Sequence, residues 1–560
     1  MRQAVYKVTD RVYVAVGYAT ANSTMVIGDD GIVIIDTTES LVSAEAIRAE
    51  FRKITQLPVK GLVYSHHHLD HVGGASAFAS LEDAQTGRVT VVAHAGLPAL
   101  MAGSTNTSTN SLLTRDVSMA RFAYMFGAYL PWGPEGVVNN GAGPPMAFGA
   151  VGIVPPNTVF TDTLDITLAG VRMHLVHVPG ETDDAAAVWM PDLGVLQTGE
   201  LIMSESFPNL YTLRGSEIRN PMTWVRSVDR LRGLPAEHLV LCHGRPTSGR
   251  DEVASVLTNY RDAIQYVHDQ TLRFIHKGGG PDELAARIRE LPPHLKDQPY
   301  LSEFYGSVVS AVRQIYRSYL GWFTGDPTSL DPLPPVERAR RYLKVMGGEE
   351  RVLEEARSAL EAEAYRWAAD LLTHVIRANP DAREARKLKA EALRQLGYRQ
   401  INTNFRHWYL TSALELEGRR LEFQLDWFRE ATSPRAVLAQ LQSVPTEGLL
   451  TLLGTRLQAE RTIDVQQTFA FVLDDTDEHY AVEIRRGVAQ VHPQAPDGAD
   501  FTLNTRKRIL AGLVSGQTTL AQALDAQDAS LEGDRRGGEA FLAYFDPPLQ
   551  DWSALHFGVR

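Results

Sequence analysis

The sequence has 560 residues, several times the length of an ordinary domain, so several domains are expected. Hydrophobic residues make up 44% and charged residues 22%, a globular balance that excludes collagen-like and extensively disordered classes. A formal net charge of −12 argues against binding to nucleic-acid backbones, which depends on Lys and Arg. The single cysteine, Cys242, excludes a disulfide framework and a cysteine-based zinc site, so metal ligands must be sought among His, Asp and Glu.

The opening residues alternate like a β-strand, with Val12, Val14 and Val16 on one side. They contain no apolar core behind a basic tip, so no signal peptide is predicted. No apolar run is long enough to span a membrane. The sequence therefore predicts a soluble, cytoplasmic protein.

Residues 1–250 alternate short β-rich runs with helical stretches. Two apolar runs meet at Asp29-Asp30-Gly31, which predicts a hairpin. Apolar residues spaced three and four apart predict a helix over Leu41–Ile54, and Val59–Tyr64 is predicted as a buried strand. Interleaved strands and helices predict an α/β layered domain. The Gly- and Pro-rich segment Gly133–Pro156 is predicted as a long loop of a kind that is often functional.

From Glu252 the pattern becomes helical, and two helices around Asn379-Pro380 are similar to one tetratricopeptide-like unit. A third region begins near Thr432-Ser433-Pro434 and contains alternating strands and a helical stretch over Ile509–Ala526. Alternating apolar residues in one of its strands face either a core or a tunnel: Phe469, Phe471 and Leu473.

The strongest chemical signal is Ser65–His71, which reads Ser-His-His-His-Leu-Asp-His and follows a predicted buried strand. In an extended segment His66, His68 and Asp70 share one side. His71 then stands at the start of the next helix. His66 and His68 could bind one cation, and Asp70 and His71 a second beside it, with ligand types that zinc takes. A surface histidine tract is the alternative, but buried polar groups are costly unless they are paired or ligating.

Three further side chains complete a plausible ligand set, each at the end of an apolar run. Glu181 follows Pro179-Gly180, Glu200 follows Gly199, and His243 follows Cys242. Taken singly, each could instead cap a helix or satisfy backbone groups. Their order after the first motif favours the interpretation as ligands.

These motifs resemble the metallo-β-lactamase superfamily, whose His-x-His-x-Asp-His motif matches His66–His71 without a gap. Commoner members have Pro-Gly-His and Gly-Asp where this chain has Pro179-Gly180-Glu181 and Gly199-Glu200, and both departures resemble the alkylsulfatase branch. The segment Asn209–Gly215 is similar to that branch too. Segments similar to its dimerisation and C-terminal domains follow in order: Tyr319–Pro327, Tyr365–Leu372, Ala499–Thr505 and Gly512–Leu524.

The resemblance implies three domains. Residues 1–250 would form a metallo-β-lactamase αββα sandwich of the α/β class. Residues 251–425 would form an all-α dimerisation domain with a tetratricopeptide-like helix pair, which implies a homodimer. Residues 430–560 would form an α+β sterol-carrier-protein-like domain.

The resemblance also implies two metal ions per chain. Zinc is the default, and the additional oxygen ligands make manganese or iron the alternatives. Three carboxylates against two dications leave one positive charge, which a bridging hydroxide would cancel. The implied ligands are His66, His68 and Glu181 for the first metal, Asp70, His71 and His243 for the second, and Glu200 bridging both.

A sulfate ester brings a negative head group. Arg214 offers a planar fork of donors suited to such an oxyanion, and Asn209 and Tyr211 can add neutral hydrogen bonds. The alternative for Arg214 is a surface or interface salt bridge. The family usually has a proton-donating His where this chain has Ser310, and serine cannot act as a general acid near pH 7. Either the leaving group needs no proton, another residue supplies it, or the substrate class differs.

The predicted function is hydrolysis of alkyl sulfate esters to alcohol and inorganic sulfate by a hydroxide activated at a binuclear metal site. Two alternatives remain open. One keeps the metals but acts on another ester, a lactone, a thioester or a phosphoester. The other is a lipid-binding protein with a vestigial catalytic domain.

Overall fold

The computed structural model describes residues 2–101, 112–147, 149–215, 218–424, 429, 432–494 and 498–549. The chain forms two compact units. The first is built mainly from Met1–Pro98 and Arg121–Trp427, and the second from Ala99–Ala120 and Phe428–Leu555. Within the described ranges no helix is long and apolar enough to cross a membrane.

The first unit contains a seven-stranded sheet whose strands follow one another in chain order. Its first four strands pair antiparallel and its last four pair parallel. The hairpin predicted at Asp29-Asp30-Gly31 joins the third and fourth strands. The strands are β1 (Ala4–Lys7), β2 (Val12–Val16), β3 (Ser23–Ile27), β4 (Ile32–Ile35), β5 (Val59–Val63), β6 (Thr90–His94) and β7 (Thr158–Phe160).

A second sheet in the same unit has six strands in the order β13-β12-β11-β10-β9-β8. Only the pair β11 and β12 runs parallel among these described strands. The strands are β8 (Thr163–Leu168), β9 (Val171–His177), β10 (Ala186–Met190), β11 (Val195–Gln197), β12 (His238–Val240) and β13 (Thr247–Ser248).

The two sheets pack face to face through one apolar core. Val14 and Val63 of the first sheet belong to the same buried cluster as Val188 and Val240 of the second. The outer face of the second sheet is covered by helices, which share another core cluster with its outward-facing side chains. The predicted α/β sandwich is therefore confirmed.

Backbone hydrogen bonds join the two sheets where β5 and β12 end. The amide of Ala186, at the start of β10, donates to the carbonyl of Ser65 over 2.8 Å. The amide of Asn22 donates to the carbonyl of Cys242 over 2.6 Å, and its side chain donates to Leu241. The segments that follow β5 and β12 therefore begin side by side.

The helix over Leu41–Ile54 has the predicted bounds and buries Ala44, Ile47 and Phe51. Its first turn is capped by the Ser40 hydroxyl, which accepts from the amide of Ser43. The helices up to residue 300 are α1 (Leu41–Ile54), α2 (Leu69–Val72), α3 (Leu81–Gln85), α4 (Leu97–Met101), α5 (Arg115–Met125), α6 (Pro221–Arg232), α7 (Arg250–Ile275), α8 (Pro281–Arg287) and α9 (Pro293–Lys296).

The predicted helical region is present, and its helices after residue 334 share an apolar core of their own. The pair predicted around Asn379-Pro380 is formed by the fourth and fifth of the region's last six described helices. They are α10 (Val308–Leu320), α11 (Pro335–Val345), α12 (Glu349–Glu361), α13 (Tyr365–Ala378), α14 (Arg383–Tyr398) and α15 (Thr403–Leu416). Short 3-10 helices lie at Ala75–Ala77, Leu112–Thr114, Pro191–Leu193, Gly199–Leu201, Pro327–Ser329 and Ala459–Arg461.

The second unit combines a five-stranded sheet, in the order β16-β15-β14-β17-β18, with five helices among its described residues after 430. The strands are β14 (Gln466–Leu473), β15 (Glu478–Arg485), β16 (Val488–His492), β17 (Phe501–Thr505) and β18 (Ser530–Glu532). The helices are α16 (Pro434–Ser443), α17 (Thr446–Gly454), α18 (Lys507–Val514), α19 (Leu520–Asp525) and α20 (Arg535–Leu542).

Two sequence expectations for this unit can be compared with the structure. Phe469, Phe471 and Leu473 are fully buried in a cluster with Phe541, so their alternation faces a core. The helical stretch over Ile509–Ala526 is broken in two, because the Thr519 side chain caps the start of α19.

Candidate metal centre

The predicted histidine motif begins two residues after β5 ends. The amide and hydroxyl of Ser65 both donate to the Asp36 carboxylate over 2.8 Å, which fixes the chain as it leaves the strand. His68 precedes α2, so Asp70 and His71 both lie on the first turn of that helix. The expectation that Asp70 lies in an extended segment was therefore wrong, because the chain turns into the helix earlier.

Glu200 lies at the centre of the site, in the turn after β11. Its Oε2 lies 3.3 Å from Nε2 of His66 and 3.8 Å from Nδ1 of His68. Its Oε1 lies 3.4 Å from Nε2 of His71 and 2.5 Å from Nε2 of His243. The two oxygens of one carboxylate therefore face two separate pairs of histidines.

The turn that presents Glu200 depends on glycine. Gly199 has a φ of 58°, and a Cβ placed on it would lie 2.5 Å from the carbonyl oxygen of Ala186. Any other residue would be strained there and would also collide with the backbone of β10.

Two groups of candidate ligands share Glu200, and within each the ligand atoms lie within 4.8 Å of one another. Asp70 Oδ2 joins one group, 3.5 Å from His71 Nε2 and 3.8 Å from His243 Nε2. The groups are His66, His68 and Glu200, and Asp70, His71, Glu200 and His243.

Buried polar atoms in these groups are left without hydrogen-bond partners among the described residues. They include Nε2 of His66, His68 and His71 and Oε2 of Glu200. Such atoms are costly to bury unless something binds them, and imidazole nitrogen and carboxylate oxygen are ligands for divalent metals. The donor set therefore fits two adjacent cations.

The charged groups of the site shift one another's pKa values. Although burial opposes it, the His66, His243 and His68 imidazoles hold the pKa of Glu200 well below its usual range. Burial and the neighbouring His66 lower the pKa of His68 to about 3. Burial would lower the pKa of His71, but Asp70 and Asp36 raise it well above the usual value. Cations that bind here therefore compete with protons for the same carboxylates and imidazoles.

The far sides of two candidate ligands are held by groups that the sequence analysis missed. His71 Nδ1 lies 2.9 Å from Asp36 Oδ2, and His243 Nδ1 donates to the carbonyl of Thr20 over 2.8 Å. These contacts turn Nε2 of both rings toward Glu200. The Cys242 thiol also donates to Asp36, and burial raises its pKa to about 12, so it keeps its proton.

Glu181, the predicted third ligand of the first metal, falls in neither group. Its Oε1 forms an ion pair of 2.6 Å with the guanidinium of Arg219, a residue that the sequence analysis missed. Burial raises the pKa of Glu181 to about 8, Arg219 opposes this shift, and the neighbouring Glu200 adds to it. Glu181 therefore lies beside Glu200, and its role as a ligand stays a prediction.

The residues predicted to bind sulfate lie in one short segment of the chain, Asn209–Arg214. Asn209 is buried, and its Nδ2 has no partner within the part of the chain that the structure describes. The Arg121 guanidinium lies 3.5 Å from the Tyr211 hydroxyl. Arg214 is half-buried over the Phe122 ring, 5.7 Å from its centroid, and forms no ion pair with a described residue.

Ser310 occupies a buried position on α10 and supplies no acid near neutral pH. A phenol that the sequence analysis missed, Tyr305, lies nearby in the chain. Burial raises its pKa, while Arg214 opposes this shift and Glu181 adds to it. Tyr305 is therefore within electrostatic reach of both the candidate ligands and the candidate sulfate-binding arginine.

A second buried carboxylate, Glu39, anchors the predicted loop. It accepts from the amide of Ala147 over 2.6 Å and from the amide of Thr20 over 3.1 Å. Burial raises the pKa of Glu39 to about 7, and Asp70 adds to the shift. The segment Gly133–Pro156 is thus tied to the same part of the fold as His243, whose Nδ1 contacts Thr20.

The Glu39 carboxyl is expected to make stability depend on pH. Its folded-state pKa of about 7 lies above the ordinary 4.5, so the folded state binds the proton more tightly. The free energy of unfolding should therefore fall as pH rises from 4.5 to 7, by about 3 kcal/mol in total. Glu39→Gln, which keeps an acceptor oxygen, should raise the melting temperature at pH 8 more than at pH 5. An equal shift at both pH values would contradict this, and Glu45→Gln, on the exposed face of α1, is the control.

Residues 17–243, which contain the sandwich strands from β3 to β12 and the whole candidate metal centre, match the family model described as "Metallo-beta-lactamase superfamily". This superfamily is metal-dependent, which agrees with the ligand groups around Glu200.

The rest of the chain matches two narrower models. Residues 280–419 match "Alkyl sulfatase dimerisation" and residues 434–555 match "Alkyl sulfatase C-terminal". A linear primary-alkylsulfatase of Pseudomonas sp. (strain ATCC 19151) is 39% identical over 93% of this chain and 98% of its own length. The chain therefore belongs to the alkylsulfatase branch of the metallo-β-lactamase superfamily, as its motifs predicted.

Two further relatives extend the comparison. An (R)-specific secondary-alkylsulfatase of Pseudomonas sp. is 30% identical over 97% of this chain and 81% of its own length. The solved structure of the stereoselective inverting sec-alkylsulfatase Pisa1 from Pseudomonas sp. is similar with a TM-score of 0.84 at 29% identity. That match covers 98% of this chain and 85% of the solved one.

Proposed function

We propose that this protein hydrolyses alkyl sulfate esters to an alcohol and inorganic sulfate at a binuclear metal site. The observation that carries the proposal is the Glu200 carboxylate, which turns one oxygen toward each of two histidine pairs. Relatives named alkylsulfatases match nearly the whole chain, which supports sulfate esters as the substrate class.

The proposed ligands follow from the two groups around Glu200, with Glu181 added beside the first. Two bound divalent cations, for which zinc is the first candidate, would lower the pKa of a shared water so that hydroxide is available at neutral pH. Contacts with Asp36 and with the Thr20 carbonyl fix the orientations of the His71 and His243 rings. The proposed sets are His66, His68 and Glu181 for one ion, Asp70, His71 and His243 for the other, and Glu200 for both.

The proposed head-group site lies next to the ligands. Arg214 provides the charged fork for the sulfate oxygens, and the unpartnered Nδ2 of Asn209 provides a buried neutral donor. Tyr211 adds a hydroxyl at the edge of this site.

A substrate panel tests the proposal. Dodecyl sulfate should be hydrolysed faster than a lactone, a thioester or a phosphoester of matched chain length, and elemental analysis should give about two metal ions per chain. Preference for one of the other esters would establish the alternative enzyme. A chain with neither metal nor turnover would favour the lipid-binding alternative. The cytoplasmic location stays a prediction.

We also propose a homodimer formed through the helical region. Large apolar side chains are exposed around the end of α10 and on α11, and exposed patches of this kind are typical of interfaces. Trp322 is 67% and Val345 is 86% exposed. The family model that matches residues 280–419 is described as a dimerisation domain, which supports an interface in the same region.

Light scattering should give a mass of about 124 kDa at micromolar concentration, twice the 61.9 kDa of one chain. Val345→Asp combined with Trp322→Asp should shift the protein toward the monomer, because two charges would be buried without partners. A wild-type mass of one chain would overturn the proposal, and Val488→Asp, at another exposed site, is the control.

A further inference from the structure

A buried arginine stands directly behind Glu181. The side chains of Arg219 and Glu181 are only 3% and 4% exposed, and their charged atoms lie 2.6 Å apart. Arg219 also donates from its Nη1 to the carbonyl of Asn209 over 2.5 Å. Withdrawing a guanidinium and a carboxyl group from water this completely is costly, so the pair needs a reason to be kept.

One helix holds both partners of this ion pair in place. Arg219 precedes Asn220, which caps α6 by accepting from the amides of Met222 and Thr223. On the other side, the carbonyl of Pro179 accepts from the Ser227 hydroxyl of α6 over 2.7 Å.

Gly180 packs closely against the same helix. A Cβ on Gly180 would lie 3.1 Å from the ring of Trp224, itself fully buried in α6. The segment that carries Glu181 and the arginine that faces it are therefore fixed to one rigid element.

The ion pair engages only one oxygen of the carboxylate. Arg219 contacts Oε1, whereas Oε2 of Glu181 is buried and has no hydrogen-bond partner among the residues described. The Glu200 carboxylate, which faces His66 and His68, lies beside it. A carboxylate held by one oxygen with the other left bare is arranged to bind through the bare one.

We propose that Arg219 is a positioning residue for the first metal: it fixes Glu181 so that Oε2 serves as a ligand, and its charge compensates an anionic ligand at this place. This inference rests on the proposed metal site. A neutral imidazole at position 181 would need no such counter-charge. The site already contains two other carboxylates, Glu200 and Asp70. The Arg219 guanidinium thus explains how this chain accommodates a third, that of Glu181.

Competition with a chromogenic chelator, using Zn²⁺ alone as the probe, tests the proposal on the full chain. Arg219→Gln should weaken the first zinc site by roughly 10- to 100-fold, while Arg219→Lys, which keeps the charge but loses the fork, should lie between this variant and wild type. Arg226→Gln, on the exposed face of α6, is the matched control and should leave zinc affinity unchanged. Circular dichroism would confirm that each variant is folded.

A double substitution distinguishes a positioning role of Arg219 from a purely structural one. Glu181→His alone leaves Arg219 buried without its partner, so zinc affinity and melting temperature should both fall. Adding Arg219→Gln removes the unpaired charge, and the double variant should regain at least tenfold of the zinc affinity lost by Glu181→His. Additive losses in the double variant would contradict the proposal.

The outcomes also distinguish this proposal from the proposed function. If wild type binds two zinc ions and Arg219→Gln binds them equally well, only the role of Arg219 is overturned. If Arg219→Gln keeps its zinc but shows a raised KM for dodecyl sulfate, Arg219 contacts the substrate instead, which also overturns it. If wild type binds no metal, both proposals fall.

Discussion

Glu200→Ala should lower the turnover of dodecyl sulfate by roughly 10³-fold or more and reduce the metal content of the chain. Glu200 faces both histidine pairs, so its loss removes a ligand from both proposed ions at once. The negative charge that holds His243 and His71 in the site disappears with it. Metal content by elemental analysis and kcat by sulfate release would be measured on the same preparation.

The control for Glu200→Ala is Glu237→Ala. Glu237 forms a surface ion pair with Arg250 and belongs to neither ligand group. Its loss should change neither metal content nor turnover measurably, since exposed ion pairs contribute little. Near-normal turnover and two metals in Glu200→Ala would show that Glu200 is not the bridging ligand.

Arg214→Ala should lower kcat/KM for alkyl sulfates by roughly 10²-fold and raise KM, because a charge-assisted contact to an oxyanion is lost. Arg214 forms no ion pair with any residue in the described ranges, so its fork is available to a ligand. Metal content should not change, since Arg214 is not a ligand. Arg214→Lys should restore part of the loss, because it keeps the charge without the planar fork.

Substrate charge provides the control for Arg214. A neutral ester or lactone, if it is hydrolysed at all, should react equally well with Arg214→Ala and wild type. Arg226→Ala, on an exposed part of α6, should leave all substrates unaffected. Normal hydrolysis of alkyl sulfates by Arg214→Ala would assign Arg214 a structural role only.

The candidate ligands could be predicted where the signal is local. The histidine motif lies within seven consecutive residues after an apolar strand, so both the strand and the ligand types can be read from one short segment. Leu41–Ile54 was predicted with the observed bounds for a similar reason, because its apolar spacing is a local signal.

The supporting residues could not be predicted, because their roles depend on contacts between distant segments. Asp36 contacts His71 only because β4 and β5 pair in parallel. Arg219 meets Glu181 only because α6 packs against the segment after β9. Nothing in the local sequence around either residue indicates its partner.

Both sheets contribute candidate ligands to the metal centre. His66 and His71 follow β5 of one sheet, whereas Glu200 and His243 follow β11 and β12 of the other. Ions bound between these ligands would therefore link the two sheets of the sandwich to each other. Because an unfolded chain cannot form such a site, free metal would favour the folded state by mass action. Metal supply would then determine how much of this protein persists folded, as well as how fast it works.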